Sequence, residues 1–175
     1  MTCEAAPAKL VCGIIASSAD DMDRAERALE QAFGKIEIRS ERIPFDDTPY
    51  YQPEMGDGLI REWTSFEKPI SQAAIVDAKL TTNALENRLA REDGSRTANL
   101  DPGYIVAPRL VLATTKDHAH RIYLARGIFA EVTLIYRDGS FHPLEWTYPE
   151  YRKSTALDFF TKVRTAHRAQ LHTSL

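Results

Sequence analysis

The chain has 175 residues, 43% of them hydrophobic and 27% charged, with a formal net charge of -3 at pH 7. This length supports one domain with a buried core, and the charge is unlike that of a basic nucleic-acid-binding protein. No run approaches the roughly 18 apolar residues that a membrane helix needs, and no basic segment precedes the first apolar run. We therefore predict a single cytoplasmic domain, residues 1–175, with no membrane partner.

Residues 8–115 predict two strand, helix, strand units, after a loose N-terminal tail at residues 1–7. Alternating and helical apolar patterns give the elements in order as a strand at 9–15, a helix at 22–33, a strand at 36–43, a strand at 59–66, a helix at 71–92 and a strand at 104–115. Ser17, Ser18 or Asp20 can cap the first helix. Gly34 then ends it.

Two other segments of this region have loop chemistry. The segment 44–58 contains three prolines, two glycines and four acidic residues, so we predict a long loop, and loops of this length are often functional. The sequence Asp101-Pro102-Gly103 is typical of a turn, because proline fixes φ and glycine accepts positive φ.

Residues 116–175 are predicted to be a β extension followed by a helix. Strands are predicted at 121–124, 128–136 and 141–146, with a hairpin turn at Arg137-Asp138-Gly139. Ser154 or Thr155 can cap a final helix, and one side of that helix carries Phe159, Phe160, Val163 and Ala166. The fold class is therefore α+β: ferredoxin-like strand, helix, strand pairs form a mainly antiparallel sheet with helices on one face, extended by a C-terminal β-hairpin and the terminal helix.

The second predicted helix carries polar residues where apolar ones are expected. At about 100° per residue, one row of this helix consists of Ile75, Ala78, Thr82, Leu85 and Leu89, and a second row of Val76 and Leu80. Lys79, Asn83 and Glu86 lie between the two rows, away from the solvated side. Because desolvating a lysine and a glutamate is costly without partners, these residues either form an ion-pair network that holds the helix to the sheet or line a pocket. The pocket is favoured.

A second carboxylate stands among apolar neighbours in the strand at 128–136. The strand alternation places Ile128, Ala130, Val132 and Leu134 on one face and Phe129, Glu131, Thr133 and Ile135 on the other. Glu131 then either pairs with Lys79, Lys116 or Arg121, or has a raised pKa suited to proton transfer. Pairing is favoured.

The segment TTKDHAHR, residues 114–121, supports two kinds of binding. Lys116, Arg121 and the hydroxyl groups before them are suitable donors to a phosphate or carboxylate. His118 and His120 are spaced so that they can chelate a metal with acidic residues elsewhere, the candidates being Asp46, Asp47, Glu54 and Asp101. Two histidines are weak evidence, so no metal site is predicted.

Seven motifs together resemble one family over residues 8 to 164: KLVCGII, PFDDTPYYQPEMG, KLTTNALE, NLDPGY, LVLATTKDHAHRIYL, GIFAEVTL and WTYPEY. The family is the uncharacterised bacterial family domain of unknown function 4416. Some members are labelled GTP-binding proteins, but this chain contains no G-x-x-x-x-G-K-[ST] motif. The resemblance implies a pattern of polar residues rather than an activity: Tyr50, Tyr51, Glu54, Arg61, Lys79, Asn83, Glu86, Asn99, Asp101, Lys116, Arg121 and Glu131.

These observations favour a site for an anionic small molecule, a nucleotide or a phosphorylated metabolite. Its predicted ligand-binding residues are Arg61, Lys79, Asn83, Lys116, Arg121, Tyr50 and Tyr51. If the protein is an enzyme, the acid or base is predicted among Glu86, Asp101 and Glu131. No motif specifies a cofactor. The alternatives are nucleic-acid binding through the basic terminal helix and exposed tyrosines, and a non-catalytic protein-interaction module whose polar network is structural.

Overall fold

A nine-stranded sheet forms the centre of the protein in the computed structural model, which describes residues 3–173. The strands are β1 Lys9–Ala16, β2 Ile36–Arg39, β3 Ile43–Pro44, β4 Ile60–Phe66, β5 Ala98–Val106, β6 Arg109–Thr114, β7 Ile122–Ala125, β8 Ile128–Arg137 and β9 Ser140–Pro143. Their order is β2-β4-β1-β5-β6-β8-β7, with β3 beside β4 and β9 beside β8. The paired strands run antiparallel, so the predicted α+β class and mainly antiparallel sheet are confirmed.

Four α-helices accompany the sheet within the described residues. They are α1 Ala19–Phe33, α2 Gln52–Met55, α3 Ile75–Leu89 and α4 Ser154–Thr173. Ser18 caps α1 by accepting a hydrogen bond from the Asp21 N–H, and Gly34 ends it at φ 89°, as predicted. Between residues 3 and 173, no helix combines the length and apolar character needed to cross a membrane.

Several predicted boundaries were wrong. The strand predicted at 36–43 is divided into β2 and β3, since the Ser40 side chain accepts the Trp63 N–H in place of a backbone group. The loop predicted at 44–58 contains a 3₁₀ turn at Pro49–Tyr51 and then α2. The second helix, predicted at 71–92, starts with a 3₁₀ turn that Ser71 caps and ends at Leu89. The last strand, predicted at 141–146, is β9 and ends at Pro143.

The largest correction concerns residues 98–115. Asp101-Pro102-Gly103 was predicted as a turn but lies inside β5, where Pro102 is opposite Cys12 of β1. The strand predicted at 104–115 is a hairpin, in which β5 and β6 pair from Gly103↔Leu112 to Val106↔Arg109. The actual turn is at residues 107–108. Local turn chemistry was overridden here by pairing with β1.

Helices cover both faces of the sheet: the helices of the two strand, helix, strand units share one face, and the terminal helix, whose face was not predicted, covers the other. Buried side chains of α1 and α3 pack on one face with residues such as Leu10 and Leu100, and those of α4 pack on the other with residues such as Trp63. The apolar side of α4 packs on this second face, where Ala156, Phe159, Phe160 and Val163 are buried.

An irregularity in β8 changes which of its residues share a face. The register with β6 shifts between Leu110↔Leu134 and Val111↔Val132, leaving Thr133 as an extra residue. Leu134 therefore packs in the α4-side core, whereas Ile128 packs in the α1 and α3 core. The prediction that these two side chains share a face was wrong.

The N-terminal tail predicted at 1–7 is described from Cys3 onward, and Met1 and Thr2 lie outside the described residues. Residues 3–7 contain no helix or strand. The carbonyl of Ala6 accepts a hydrogen bond from Gln72, and that of Pro7 is hydrogen-bonded to His167, so the end of this segment is attached to both helical layers.

Candidate functional site

A cavity of about 450 Å³ opens where β5 and β6 separate. Its walls include Asn99 and Asp101 of β5 and residues 112–114 of β6, which lie beyond or at the end of the short β5–β6 ladder. The other wall residues are Phe45, Asp47, Thr48, Tyr50, Tyr51, Lys79, Asn83, Glu86, Arg96, Thr115, Lys116, Arg121, Glu131, Tyr148, Pro149, Glu150 and Tyr151. The volume falls within the range of small-molecule sites.

The backbone of β5 explains why the sheet can open at this point. Alternate residues of an antiparallel strand face the same neighbour, so Leu100 and Pro102 face the β6 side together with Tyr104. Pro102 has no N–H to donate. Leu100 donates its N–H to Glu86 Oε1 at 2.6 Å, and its carbonyl accepts from Lys79 Nζ at 3.0 Å. Two side chains of α3 thus replace the missing strand.

The polar row predicted on α3 is buried, as the spacing of its apolar neighbours indicated. Lys79 and Glu86 are 6% and 8% exposed, and Asn83 is partly exposed within the cavity wall. Lys79 Nζ is also 3.7 Å from Asp101, and Glu86 is 3.6 Å from Arg96. Lys79 and Glu86 therefore form a network with the sheet and, together with Asn83, also line the cavity.

One end of the cavity, called the inner end below, is formed by Asp101 and Glu150, which lie over a buried arginine. Arg61 is 1% exposed, and its guanidinium is 3.8 Å from each of the two carboxylates. None of its three side-chain nitrogens has a hydrogen-bond partner among the described residues. It stacks against Trp63 and Tyr151, with its Cζ 4.8 and 5.1 Å from the ring centroids. Arg61 lies behind the cavity wall and is the one predicted site residue that does not line it.

At the outer end, Glu131 binds Arg121 and His120. Its Oε2 accepts from Arg121 Nε at 2.8 Å and lies 2.9 Å from His120 Nε2. Its Oε1 accepts from the Thr133 hydroxyl at 3.2 Å. Arg121 also donates to the Tyr148 hydroxyl. Glu131 is 2% exposed, so this carboxylate is buried and fully hydrogen-bonded.

Lys116 differs from the other cations of the cavity. Its Nζ lies 4.5 Å from the centroid of the Tyr50 ring and 3.3 Å from the Tyr50 hydroxyl. Within residues 3–173 it forms no ion pair with a carboxylate. By contrast, Arg96 is held by Glu54 through three hydrogen bonds of 2.7 to 3.0 Å. Lys116 is therefore the cation most available to a ligand.

Burial changes the acidity of the cavity carboxylates. Desolvation raises the pKa of Glu86, although Lys79 and the Leu100 N–H act in the opposite direction. Desolvation also raises the pKa of Glu150, with Arg61 opposing it. Hydrogen bonds from Arg96 lower the pKa of Glu54. Glu86 and Glu150 of the wall are therefore weaker acids than an exposed glutamate, as carboxyl groups at functional sites often are, whereas Glu54, which is not part of the wall, is a stronger one.

The structure brings together the predicted residues from separate segments. Among those predicted to bind ligand, Tyr50, Tyr51, Lys79, Asn83, Lys116 and Arg121 line the cavity, as do Glu86, Asp101 and Glu131, predicted as acid or base. Arg96 and Glu150 also line the wall and were not predicted. Arg96 follows the EDGS turn and Glu150 lies within WTYPEY, so the second was contained in a family motif and the first carried no distinguishing pattern.

Two other kinds of binding were considered from the sequence: metal binding by His118 and His120, and nucleic-acid binding through the basic terminal helix. No group of three or more His, Cys, Asp or Glu residues between residues 3 and 173 is arranged to hold a metal ion, and His120 instead stacks on Trp146. On and before α4, Arg152 donates to three carbonyls, Lys153 pairs with Asp47, and Arg164 donates to the Ala107 carbonyl. These basic side chains have internal partners.

Comparison with known proteins gives a family and no described activity. The family described as Domain of unknown function (DUF4416) matches residues 6–167, so the chain belongs to this family, as the motifs predicted. No curated protein and no solved structure matches the chain.

Proposed function

We propose that this DUF4416 protein binds an anionic small molecule, such as a phosphorylated metabolite, in the cavity between β5 and β6. The anion would lie at the outer end, beside Lys116 and Arg121. The observation that carries this proposal is that Lys116 faces the cavity without a carboxylate partner among residues 3–173. An ammonium group in that position is a ready donor to phosphate.

The charges at the outer end support this orientation. Arg121 and Glu131 balance each other at 2.8 Å, which leaves the Lys116 charge in excess. Arg121 also lines this part of the cavity, and although Nε and Nη1 donate to Glu131, Thr114 and the Lys116 carbonyl, Nη2 donates one hydrogen bond, to Tyr148, and keeps a second N–H for a ligand. The hydroxyls of Thr114 and Thr115 are part of the same wall and add neutral donors. A monoanion or dianion thus finds a net positive region lined with donors.

Aromatic residues cover this region from one side. Tyr50 and Tyr51 belong to the segment predicted as a functional loop, and their rings are 4.9 Å apart in an edge-to-face arrangement. Tyr50 is 59% exposed, so it is placed to cover a ligand held by Lys116. Whether chemistry follows binding stays a prediction for Glu86, Asp101 and Glu131. Asp101 keeps the greatest side-chain exposure of the three, at 31%.

We also infer that the first two thirds of the chain is ferredoxin-like. The order β2-β4-β1-β5 supports this, since β1 and β4 are adjacent and α1 and α3 pack on the same face. The remaining strands then extend the sheet beyond β5, and the cavity lies at the junction.

The test is a titration of the protein with inorganic phosphate, ribose 5-phosphate and glucose 6-phosphate. Calorimetry and thermal unfolding measure the binding. A ligand at about 100 times its Kd stabilises the native state by about 2.7 kcal/mol, which thermal unfolding detects. Lys116→Gln is expected to weaken binding roughly tenfold or more, the value of a charge-assisted hydrogen bond.

Lys68→Gln is the matched control. Lys68 is exposed like Lys116, follows the C-terminal end of β4 and does not line the cavity. This variant should bind like the wild type. Lys116 is preferred to Lys79 or Arg121 for the test because the latter two hold buried backbone and carboxylate groups. Equal affinity of the wild type and Lys116→Gln for every anion would contradict the proposal.

A further inference from the structure

We propose that the inner end of the cavity, where Asp101 and Glu150 lie over Arg61, binds hydroxyl groups, and that the ligand class is therefore a sugar or polyol phosphate. This inference rests on the proposed function and deepens it. The anion end and the hydroxyl end are separate parts of one cavity, so each can be tested without the other.

Acceptors at the inner end of the cavity have few donors from the protein. Glu150 lines the cavity, and no side chain among residues 3–173 donates a hydrogen bond to its carboxylate; the Arg61 guanidinium is 3.8 Å away, and a backbone N–H is the donor that it has. Asp101 accepts one hydrogen bond, from Asn99 at 2.8 Å, and lies 3.7 Å from Lys79. Asn83 adds an amide with no side-chain hydrogen bond in the described part of the chain. Such groups require donors from a ligand or solvent.

Arg61, beneath these acceptors, is always charged. A buried guanidinium without hydrogen bonds is costly, and its position is made possible by Gly13. A Cβ at Gly13 would stand 2.9 Å from Arg61 Nη2 and 2.8 Å from the Tyr151 hydroxyl. The strand thus leaves room for this charge directly beneath the two carboxylates. Arg61 is a positioning residue that favours the ionised, hydrogen-bond-accepting form of Glu150, against the effect of burial on its pKa.

Charges at the inner end of the cavity are balanced. Arg61 and Lys79 lie within 3.8 Å of carboxylates, and their two positive charges match the negative charges of Asp101 and Glu150. A ligand cation would leave this balance positive, and a second anion would meet two carboxylates. A neutral group that donates several hydrogen bonds fits best, and the hydroxyl groups of a sugar are such donors. Together with the cationic outer end, this selects a phosphorylated polyol.

The experiment compares the affinities of inorganic phosphate, ribose 5-phosphate and glucose 6-phosphate by calorimetry. At least one sugar phosphate is expected to bind roughly tenfold or more tightly than phosphate, because each hydrogen bond to a charged group contributes that much. Glu150→Gln should remove most of this advantage and leave the affinity for phosphate within about twofold, since the carboxylamide keeps the shape of the wall.

Asp101→Asn carries the same test on a different element, so the proposal does not depend on the folding of one variant. Glu145→Gln is the matched control, because Glu145 is exposed and precedes the 3₁₀ turn Pro149–Arg152 that contains Glu150. Far-UV circular dichroism and thermal unfolding establish that each variant is folded.

The outcomes separate the two proposals. If the wild type binds phosphate but neither sugar phosphate more tightly, hydroxyl recognition is overturned and the anion site stands. If no anion binds, the proposed function fails and this inference fails with it. If both Glu150→Gln and Asp101→Asn weaken phosphate and sugar phosphates equally, these carboxylates do not read hydroxyl groups, which also overturns the inference.

Discussion

The charged residues around the cavity differ in how many of their hydrogen bonds are already made. Glu131 has acceptors occupied by Arg121, His120 and Thr133, whereas Glu150 has none occupied by the described side chains. A satisfied buried ion pair stabilises little but is costly to break, because the remaining partner stays buried and charged. The first group therefore maintains the structure, and the second is available for binding.

Glu131→Gln tests the structural group. The substitution keeps the shape of the side chain and removes the charge opposite Arg121, whose side chain is 3% exposed. We expect the free energy of unfolding to fall by about 2 to 4 kcal/mol, measured by urea denaturation. Glu41→Gln, at an exposed position, should change it by less than about 0.5 kcal/mol. A stability equal to that of the wild type would show that the Arg121 charge is solvated after all.

Glu62 follows Arg61 on β4 and pairs with Arg42 rather than with a residue of the cavity wall. Burial raises the pKa of Glu62 to about 7, with Glu26 adding to the effect and Arg42 opposing it. The folded state then binds the Glu62 proton more tightly than the unfolded state does. The contribution of this group to the free energy of unfolding is therefore fully present below a pH of about 4.5 and is lost as pH rises through about 7. Glu26, whose pKa is lowered, acts with the opposite sign and at lower pH.

Glu62→Gln removes that titration while Arg42 keeps its bonds to Asp23 and Glu26. We expect its stability to decline less than that of the wild type between pH 5 and pH 8, because the group whose pKa is raised to about 7 is no longer present. Urea denaturation midpoints across this range provide the measurement. Parallel curves for the two proteins would mean that Glu62 is ionised throughout.

At the scale of elements, the cavity depends on a short ladder between β5 and β6. The ladder ends at Gly103↔Leu112, and Pro102 cannot extend it, so Lys79 and Glu86 complete the strand instead. Close contact at Gly103 fixes the point of separation: a Cβ there would be 2.5 Å from the Val111 carbonyl oxygen and 2.6 Å from a Leu112 methyl group.

Gly103→Ala should therefore separate the two strands or distort β5. We expect a loss of about 1 to 3 kcal/mol, typical of overpacking, because the obstacle at Gly103 includes a backbone atom that cannot rotate away. Thermal unfolding measures this loss. Ala113→Gly, on the neighbouring strand, is a control for altered backbone flexibility and should cost about 1 kcal/mol. A Gly103→Ala protein as stable as the wild type would imply that β5 and β6 can move apart freely.

The sequence predicts the features of this arrangement that depend on local spacing and not those that depend on contacts between distant segments. The burial of Lys79 and Glu86 follows from helical spacing, because a row between two apolar rows must face the protein. The strand across Asp101-Pro102-Gly103 does not follow, since its residues favour a turn locally and only pairing with β1 forces them straight. The same limit applies to Glu150, whose approach to Arg61 joins residues 89 positions apart in the sequence.

At the scale of the whole molecule, the apolar core under α1 and α3 and the core under α4 lie on opposite faces of the sheet, and the core under α4 contains the two aromatic residues that contact Arg61. Phe160 of α4 is fully buried and stacks on Tyr151 at 5.7 Å between ring centroids. Tyr151 in turn contacts the Arg61 guanidinium. Leu29 of α1 is equally buried, but in the core on the opposite face. Packing of α4 should thus influence binding, and packing of α1 should not.

Phe160→Leu and Leu29→Val test this difference, since each removes buried carbon and should cost about 1 kcal/mol or somewhat more. Only Phe160→Leu removes an aromatic contact of Tyr151, so only this variant should weaken the binding of ribose 5-phosphate, by roughly threefold from part of the energy of one aromatic pair. Calorimetric titration well below the unfolding temperature separates affinity from stability. Equal weakening in both variants would mean that binding follows global stability rather than the packing beneath Arg61, because the two substitutions share a cost in stability and differ in the face of the sheet that they disturb.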